Sequence, residues 1–291
     1  MQILTKKLKN GFALPEYGLG TWQMGGRETR NPANDDESDI RAIQEAVKLG
    51  VTHIDTAELY AAGHAEELVA RAIREGQIDR KGLFIVSKVL GENQSYDGVI
   101  NSCQKSLNRL ETDYLDLYLL HEYTSDFPLK EAIRALNDLM ARGLVKNIGV
   151  SNFGVEHLKE AQGYSKYPIV CDQVHYNLRV REIERSGLLK YCQDNDIMIV
   201  AYRPTEKAAL LKGVAPVLDE ICKKYNKTAV QVAINWLISQ PNVVTLAKTS
   251  KIEHLKENLG ALGWRLETED IERLRREFPN QIEVSEVISL G

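Results

Sequence analysis

Four side chains that can carry charge or exchange protons lie at the ends of short apolar runs. Asp55 and Tyr60 follow one run, Lys88 ends the next, and His121 ends the one after that. Burying a lysine is costly unless its ammonium is paired, and Asp55 is a suitable partner if the two runs are neighbouring strands. A nearby cation favours the phenolate, so Lys88 is expected to lower the pKa of Tyr60 and to make it a proton donor near neutral pH.

His121 completes this set, because an imidazole can orient and polarise a substrate oxygen. Together the four side chains predict an acid-catalytic group, and neither a nucleophilic triad nor a metal site is expected. Each of them alone is compatible with a structural role, whereas their joint occurrence favours catalysis. His53, two residues before Asp55, is interpreted as a packing residue on the opposite face of its strand.

The runs that carry these residues are predicted to be strands of a parallel sheet. They are rich in Val, Ile and Leu with little alternation, which is typical of strands covered on both faces. The predicted strands are Tyr17–Thr21, Val51–Ala57, Leu83–Val89, Leu115–His121, Val145–Asn152, Val170–Asn177, Ile197–Tyr202 and Val243–Lys248.

Amphipathic stretches between these strands have apolar residues every three or four positions and predict helices. The predicted helical stretches are Asp36–Lys48, Leu68–Ile73, Tyr96–Leu110, Leu129–Met140, Val155–Tyr164, Ile183–Cys192, Val214–Ser239 and Ile252–Leu262. Two further elements are expected, an N-terminal hairpin around the turn signal Asn10-Gly11 and an extra C-terminal helix over Glu267–Phe278.

Eight strand–helix units predict an α/β fold, a (β/α)8 TIM barrel made of one domain over residues 1–291. An open, doubly wound sheet is the alternative. It would usually carry a glycine-rich phosphate loop after its first strand, and Gly18-Leu19-Gly20-Thr21 lacks the third glycine. In a barrel the active site lies at the C-terminal ends of the strands, where the four acid-catalytic side chains fall.

With these residues in place, the sequence resembles the aldo-keto reductase superfamily over nearly its whole length. The motifs that carry the resemblance are Gly18-Leu19-Gly20-Thr21-Trp22, Asp55-Thr56-Ala57-Glu58-Leu59-Tyr60, Val86-Ser87-Lys88, Leu119-Leu120-His121 and Gly149-Val150-Ser151-Asn152-Phe153. Each motif is weak alone, but their order on successive strands is specific. The resemblance implies an NAD(P)H-dependent oxidoreductase that reduces aldehydes and ketones to alcohols, with Tyr60 as the general acid.

The resemblance also implies how the cofactor is held. Ser151, Asn152 and Gln173 would bind the nicotinamide carboxamide, and Tyr202 would stack on the nicotinamide ring. The full set of implied cofactor residues is Gly20, Thr21, Trp22, Asp55, Ser151, Asn152, Gln173, Tyr202, Arg203, Lys248, Thr249, Ser250, His254, Glu257 and Asn258. Two of them depart from the family pattern, since Arg203 replaces Ser or Thr near the pyrophosphate and His254 replaces an Arg of many NADPH-specific members. An arginine binds a phosphate through two hydrogen bonds and stays charged, which a histidine does not do reliably. Strict specificity for NADPH is therefore not expected: NADPH should be preferred, with NADH usable.

Substrate contacts are expected from Trp22, Tyr60, His121, Glu122 and Tyr123. The family recognises substrates with loops that are short here, residues 122–128, 203–213 and 280–291. Short loops predict an open site for a small aldehyde or ketone.

Composition limits the other function classes. The 291 residues carry a net charge of −4, with basic and acidic residues mixed along the chain, so neither nucleic acid nor a membrane surface is an expected partner. The four cysteines form no Cys-x-x-Cys pair, and no signal peptide or membrane-spanning run is visible. These features predict a cytoplasmic protein, and a monomer is expected.

Two functions from other classes remain as alternatives. A class I aldolase would use Lys88 as a Schiff-base nucleophile, which borohydride trapping with substrate would reveal. A non-catalytic barrel that senses the cofactor and binds a partner protein would show no turnover.

Overall fold

The computed structural model of the chain describes residues 3–205 and 215–291. Within these two ranges, eight parallel strands close into a barrel, and a two-stranded sheet lies outside it. The small sheet consists of β1 (Thr5–Lys7) and β2 (Ala13–Pro15). The barrel consists of β3 (Tyr17–Gly20), β4 (His53–Asp55), β5 (Phe84–Val89), β6 (Leu117–Leu120), β7 (Ile148–Ser151), β8 (Ile169–His175), β9 (Met198–Tyr202) and β10 (Val243–Ala247). The predicted barrel is confirmed, with every strand shorter than predicted.

Helices follow every barrel strand and cover its outer face. They are α1 (Asp36–Lys48), α2 (His64–Glu75), α3 (Tyr96–Arg109), α4 (Leu129–Ala141), α5 (Val155–Tyr164), α6 (Glu182–Arg185), α7 (Leu188–Asp194), α8 (Pro216–Tyr225), α9 (Ala229–Ile238), α10 (Ile252–Leu259) and the extra α11 (Thr268–Glu277). Side chains fix several helix starts. Asp35 accepts the backbone N–H of Ser38 at the start of α1, and Ser95 accepts that of Gly98 at the start of α3.

Two predicted helical stretches are each broken in the structure. The stretch Val214–Ser239 is wrong as one helix, because α8 ends at Asn226 in the left-handed conformation (φ +51°). Helix α9 then begins with a capping box in which Thr228 and Gln231 bond each other's backbone. The stretch Ile183–Cys192 is broken at Gly187, whose φ of +80° separates α6 from α7. Val214 itself lies outside the described residues.

The order of strands around the barrel is β10-β3-β4-β5-β6-β7-β8-β9, and every neighbouring pair is parallel. Asp55 pairs with Gly20 on one side and with Val86 on the other, while Lys88 pairs with Leu119. Because all the strands point the same way, their C-terminal ends meet at one mouth. This arrangement brings the polar ends of β4, β5 and β6 side by side.

The N-terminal hairpin closes the opposite end of the barrel. Its turn is longer than the two residues Asn10-Gly11, because Leu8 N–H donates to Phe12 O at 2.8 Å across a five-residue loop. Leu8 and Phe12 belong to the apolar cluster that fills the barrel interior. Phe12 contacts Phe84, at the start of β5, edge to face with ring centroids 6.1 Å apart. Solvent is thus excluded from the barrel core, and the mouth is left for function.

Candidate active site

Lys88 is the centre of the polar group at the mouth. Its Nζ donates to Asp55 Oδ1 at 2.6 Å, to the backbone oxygen of Thr56 at 2.8 Å and to Tyr60 Oη at 3.0 Å. An ammonium has three N–H donors, and these three oxygens occupy all of them. Lys88 is fully buried and Asp55 is 1% exposed, so the ion pair is shielded from water. Since Tyr60 accepts from Lys88, its own hydroxyl proton is available to a further acceptor.

Tyr60 is presented by a tight 3-10 turn over Tyr60–Gly63, directly before α2. Ala61 and Ala62 in this turn have left-handed φ values of +53° and +55°, which are unfavourable for residues with a Cβ. Backbone hydrogen bonds to the loop after β3 hold the turn, from Ala61 N to Arg27 O at 2.5 Å and from Ala62 N to Glu28 O at 2.8 Å. The β3–α1 loop therefore fixes the position of the tyrosine.

Burial and charge act in opposite directions on the two titrating partners. Burial raises the pKa of the Tyr60 phenol, and the neighbouring Lys88 only partly offsets this. Burial lowers the pKa of Lys88, but Asp55 and Tyr60 outweigh it and the net shift is upward. The expectation of a lowered Tyr60 pKa is therefore wrong in this state of the site, because burial exceeds the effect of the cation. Tyr60 is a protonated phenol beside a charged ammonium, which is the form needed to donate a proton.

His121 faces the same tyrosine from β6. The His121 and Tyr60 rings meet edge to face with centroids 5.8 Å apart, and Trp22 packs against the same tyrosine ring at 5.0 Å. Within the described residues, His121 Nδ1 is buried without a hydrogen-bond partner. Burial, together with Lys88, holds the pKa of His121 well below its ordinary value. The imidazole is therefore neutral and can donate from one ring nitrogen to a substrate oxygen.

His53 lies inside the barrel beneath this group. The interpretation that it points away from Asp55 is wrong, because side chains two residues apart on a strand share a face. Its ring is fully buried and contacts Phe84 edge to face with centroids 5.8 Å apart. Burial lowers the pKa of His53 to about 4. It is a neutral ring under the ion pair.

A second group, made of amide and hydroxyl side chains, continues from the ion pair around the mouth. Gln173 Nε2 donates to Asp55 Oδ2 at 2.7 Å, and Ser151 Oγ donates to the backbone oxygen of Gln173 at 2.8 Å. Asn152 Nδ2 donates to Ser151 Oγ at 2.9 Å, and Asn152 Oδ1 accepts from Tyr202 Oη at 2.8 Å. The structure thus brings together all four residues predicted to hold a nicotinamide, and it connects them to Asp55.

Residues at the end of β3 support the same group. Thr21 is fully buried and donates to the backbone oxygen of Asp55 from both its N–H, at 2.9 Å, and its hydroxyl, at 3.1 Å. A Cβ on Gly20 would lie 3.1 Å from Leu246, so a larger residue there would crowd the mouth. Arg203 follows β9 with a φ of +54°, and its backbone oxygen accepts from Asn177 Nδ2 at 2.9 Å. The predicted loop 203–213 lies outside the described residues from 206 onward.

The residues predicted for the adenosine phosphate follow β10 and continue into α10. The Lys248 and His254 side chains are exposed, whereas Thr249 is buried and accepts the N–H of Lys251 at 3.1 Å. No side chain caps the start of α10, so its first N–H groups can bind an anion. Ser250 donates to Asp39 Oδ1 at 2.6 Å, a carboxylate on α1 that sequence reasoning missed.

The other predicted residues of this region are more structural. Asn258 is buried and donates to Tyr17 Oη at 3.2 Å. Glu257 is half-buried, and its backbone oxygen accepts from Gln231 at 3.2 Å. The structure therefore leaves the Lys248 and His254 side chains exposed, and it places Asn258 as a support for β3.

Two of the predicted substrate residues, Glu122 and Tyr123, directly follow His121 in the loop after β6. Glu122 Oε1 accepts the N–H of Gly91 at 3.2 Å, which ties the carboxylate to a neighbouring loop. Tyr123 stacks on His157 with centroids 3.6 Å apart and contacts Phe153 edge to face. Both side chains are half-buried beside the His121 end of β6.

Sequence reasoning missed a buried network behind Lys88. Glu66 on α2 is fully buried and accepts from Ser87 Oγ at 2.5 Å and from Arg109 Nε at 2.6 Å. Ser87 precedes Lys88 on β5, so this network fixes the strand on its outer face. A serine next to the motif lysine was the available signal, but its partners lie on other helices.

Over residues 3–205 and 215–291, no helix has the length and apolar character needed to cross a membrane. The same ranges hold no group of three or more His, Cys, Asp or Glu side chains arranged to bind a metal ion.

Comparison with known proteins agrees with this geometry. The model of the Aldo/keto reductase family matches residues 16–276. Methylglyoxal reductase YeaE of Escherichia coli is 35% identical over 283 residues, 96% of each chain. Glyoxal reductase of Bacillus subtilis is 36% identical over 270 residues, 93% of this chain and 91% of the relative.

Solved structures show the same fold. The thermostable aldo-keto reductase Tm1743, in complex with the inhibitor epalrestat, has a TM-score of 0.89 and 43% identity, and the match covers 94% of this chain and 99% of that one. An aldo-keto reductase from Klebsiella pneumoniae in complex with NADPH has a TM-score of 0.84 and 34% identity, with 98% of each chain covered. The chain belongs to the aldo/keto reductase family and is an oxidoreductase.

Proposed function

We propose that this protein reduces small aldehydes and ketones to alcohols with NADPH as the preferred cofactor and with Tyr60 as the general acid. The observation that carries the proposal is the buried arrangement in which Lys88 bonds Asp55 and Tyr60 at once, at 2.6 and 3.0 Å. Such a group has no use in a hydrolytic triad. It suits a reaction in which an oxygen gains negative charge and then a proton.

The residues at the mouth fit a nicotinamide cofactor. Ser151, Asn152 and Gln173 offer hydroxyl and amide groups that complement a carboxamide, which needs both a donor and acceptors. The half-buried ring of Tyr202 gives a flat surface for the nicotinamide ring. The uncapped start of α10, with Lys248 nearby, suits a phosphate at the other end of the cofactor. The bound cofactor supplies a hydride to the carbonyl carbon.

Tyr60 and His121 act on the carbonyl oxygen. His121 is neutral and donates a hydrogen bond to this oxygen, which holds the carbonyl in place. Tyr60 gives the oxygen its hydroxyl proton as the C=O electron pair moves onto oxygen. Lys88 stabilises the tyrosinate that remains. Asp55 accepts hydrogen bonds from both Lys88 and Gln173 and thereby fixes their relative positions. Positioned donors of this kind typically lower the activation barrier by ~3 kcal/mol each.

The charge state of Lys88 argues against the aldolase alternative. A Schiff-base lysine must be a neutral amine when it attacks a carbonyl. Here the net pKa shift of Lys88 is upward, and all three of its N–H donors are occupied. Lys88 is therefore better suited to stabilise negative charge than to act as a nucleophile.

The substrate is proposed from the short loop 122–128 and from the relatives. Two of the relatives are named for the reduction of methylglyoxal and glyoxal, so 2-oxoaldehydes are the first compounds to test. The experiment is to follow NADPH and NADH oxidation with a panel of aldehydes, ketones and sugars.

Replacing the proposed acid tests the mechanism. We expect Tyr60→Phe to lower kcat by about 10²–10⁴-fold, the usual size of general-acid catalysis, while cofactor binding stays nearly unchanged. Tyr118→Phe is the matched control, because the Tyr118 hydroxyl on β6 is buried without a partner among the described residues. Retention of most of kcat by Tyr60→Phe would remove Tyr60 from this role.

A further inference from the structure

The segment of residues 282–291, here called the tail segment, returns from α11 to the mouth of the barrel. It first pairs with the loop after β8, since Ile282 N donates to Arg179 O at 2.8 Å and Arg181 N donates to Ile282 O at 2.9 Å. The segment then crosses towards β7. Its later contacts are with Glu182 and His175 and, at Gly291, with Asn152 of the amide and hydroxyl group described above.

One carboxylate holds the tail segment at two points. Glu182 Oε2 accepts the N–H of Ser285 at 2.9 Å, and its Oε1 accepts the N–H of Leu290 at 3.2 Å. The half-buried Glu182 lies at the start of α6. Because a single side chain bonds both Ser285 and Leu290, its loss would remove one hydrogen bond from each end of the loop over 285–290.

The middle of the tail segment contacts the proposed nicotinamide platform. Ser285 Oγ lies 2.8 Å from His175 Nδ1, and both residues are buried. The His175 ring stacks on Tyr202 with centroids 5.3 Å apart and planes 14° from parallel. Tyr202 is the ring on which the nicotinamide would lie, so Ser285 and His175 support its far side.

The end of the tail segment contacts the carboxamide side of the same site. Gly291 N donates to the backbone oxygen of Asn152 at 3.0 Å, and Gly154 N donates to Gly291 O at 2.8 Å. A Cβ on Gly154 would lie 2.5 Å from Gly291 O, so the approach of the two backbones requires glycine there. The φ of Gly154 is −78°, which any residue adopts. The glycine therefore serves the contact and not the turn.

We propose that the tail segment is a structural part of the nicotinamide half of the cofactor site and that Glu182 is the residue that positions it. This inference rests on the proposed function, because it assigns Tyr202 and Asn152 to the nicotinamide. Tyr202 donates a hydrogen bond to Asn152 at 2.8 Å. The tail segment contacts Asn152 directly through Gly291 and reaches Tyr202 through His175. Ordering of the tail segment and binding of the nicotinamide then stabilise each other by the same free energy.

The test separates the two halves of the cofactor. NADPH carries the nicotinamide, whereas 2′-phospho-ADP-ribose has the adenosine, phosphates and ribose without it. Two variants loosen the tail segment at different points. Glu182→Gln leaves one carbonyl oxygen for two N–H donors, and Gly154→Ala displaces Gly291. Glu283→Gln is the matched control, since it makes the same charge change as Glu182→Gln, lies within the tail segment itself and removes only an exposed ion pair with Arg185.

We expect Glu182→Gln and Gly154→Ala to raise the Kd for NADPH about tenfold, which corresponds to about 1.4 kcal/mol, and to leave the Kd for 2′-phospho-ADP-ribose unchanged. Glu283→Gln should change neither Kd. Hydrogen exchange of the peptide that covers 282–291 should slow when NADPH binds to the wild-type protein and should not slow with 2′-phospho-ADP-ribose.

The proposal is overturned if the folded variants raise the Kd for NADPH and for 2′-phospho-ADP-ribose by the same factor, or if they raise neither Kd. An effect of NADPH on the tail segment that 2′-phospho-ADP-ribose reproduces would overturn it as well. Wild-type protein that binds NADPH but reduces no carbonyl would overturn the proposed function while leaving the role of the tail segment standing. Wild-type protein that does not bind NADPH would overturn both.

Discussion

Replacing Lys88 by methionine tests whether the buried ammonium acts on the reaction or only on the fold. The substitution keeps the length of the side chain and removes its charge and its three donors. Two separate losses follow. Tyr60 loses the cation 3.0 Å from its oxygen, and Asp55 loses the partner 2.6 Å from its carboxylate.

The loss of kcat can be bounded from the 3.0 Å distance between Lys88 Nζ and Tyr60 Oη. A charge-assisted hydrogen bond to the tyrosinate contributes about 1.5–3 kcal/mol. Two unit charges 3 Å apart at an effective dielectric of about 20 interact by about 5 kcal/mol, which is an upper bound. At 1.36 kcal/mol for each factor of ten, kcat should fall between about tenfold and about 10⁴-fold, and we expect about 10²–10³-fold. Lys146→Met, at a lysine whose side chain is 52% exposed, is the matched control and should keep full kcat.

The loss of stability arises because Asp55 loses the partner 2.6 Å from its carboxylate. A second substitution can reverse this loss without restoring the charge of Lys88. A buried carboxylate left without its cation costs about 3–5 kcal/mol, so Lys88→Met should fold with a clearly lower free energy of unfolding. Adding Asp55→Asn removes the unpaired charge and should recover most of that stability. Single-turnover carbonyl reduction and urea unfolding, measured on both variants, distinguish the two roles. If the double variant recovers activity together with stability, Lys88 is a structural residue and the tuning of Tyr60 is refuted.

Three further predictions follow from other parts of the structure. His254→Arg should tighten NADPH binding and leave NADH nearly unchanged, and Lys248→Ala should weaken NADPH more than NADH. Tryptophan fluorescence titration with both cofactors checks this pair, and equal effects of Lys248→Ala on the two would move the phosphate site elsewhere. Gly18→Ala should destabilise the fold by about 1–3 kcal/mol in thermal unfolding, because its Cβ would lie 2.5 Å from the His53 ring, whereas Gly163→Ala has open space and should not. Burial raises the pKa of Asp172 to about 8, so the folded state keeps a proton that the unfolded chain releases near pH 4. The free energy of unfolding should therefore fall as the pH rises from about 4 to about 8, by up to about 1.4 kcal/mol per pH unit. Asp172→Asn should flatten this slope of unfolding free energy against pH, and an unchanged slope would contradict the assignment.

The barrel could be predicted from the sequence because its strands are covered on both faces. Doubly covered strands such as Leu117–Leu120 and Val243–Ala247 are continuous apolar runs, and each is followed by an amphipathic stretch. The breaks inside helical stretches were harder, although their signals were present. Thr228 and Gln231 have the spacing of a capping box, and Gly187 is a usual helix terminator, but apolar periodicity across both breaks concealed them.

The members of the catalytic group could be predicted, and their electrostatic state could not. Parallel strands end at one mouth, so a residue type at each end is enough to bring Asp55, Lys88 and His121 together. The net pKa direction of Tyr60 depends on a comparison between burial and one cation 3.0 Å away. The sequence indicates only that a neighbouring cation would lower the pKa of Tyr60. In the structure, the upward shift caused by burial is larger.

The contacts of the tail segment lie beyond what sequence patterns can give, for a physical reason. Helices and strands leave a period in the sequence, because each of their residues repeats the environment of another. Glu182 instead binds two backbone N–H groups more than 100 positions away, and any residue except proline supplies such a donor. Only the glycine at position 154 marks the contact, since its ordinary φ gives it no local reason to lack a Cβ. Such a glycine marks a close backbone approach only where a Cβ would meet another backbone, as at Gly154 and not at Gly163. In this chain the approach is made where the cofactor is proposed to bind.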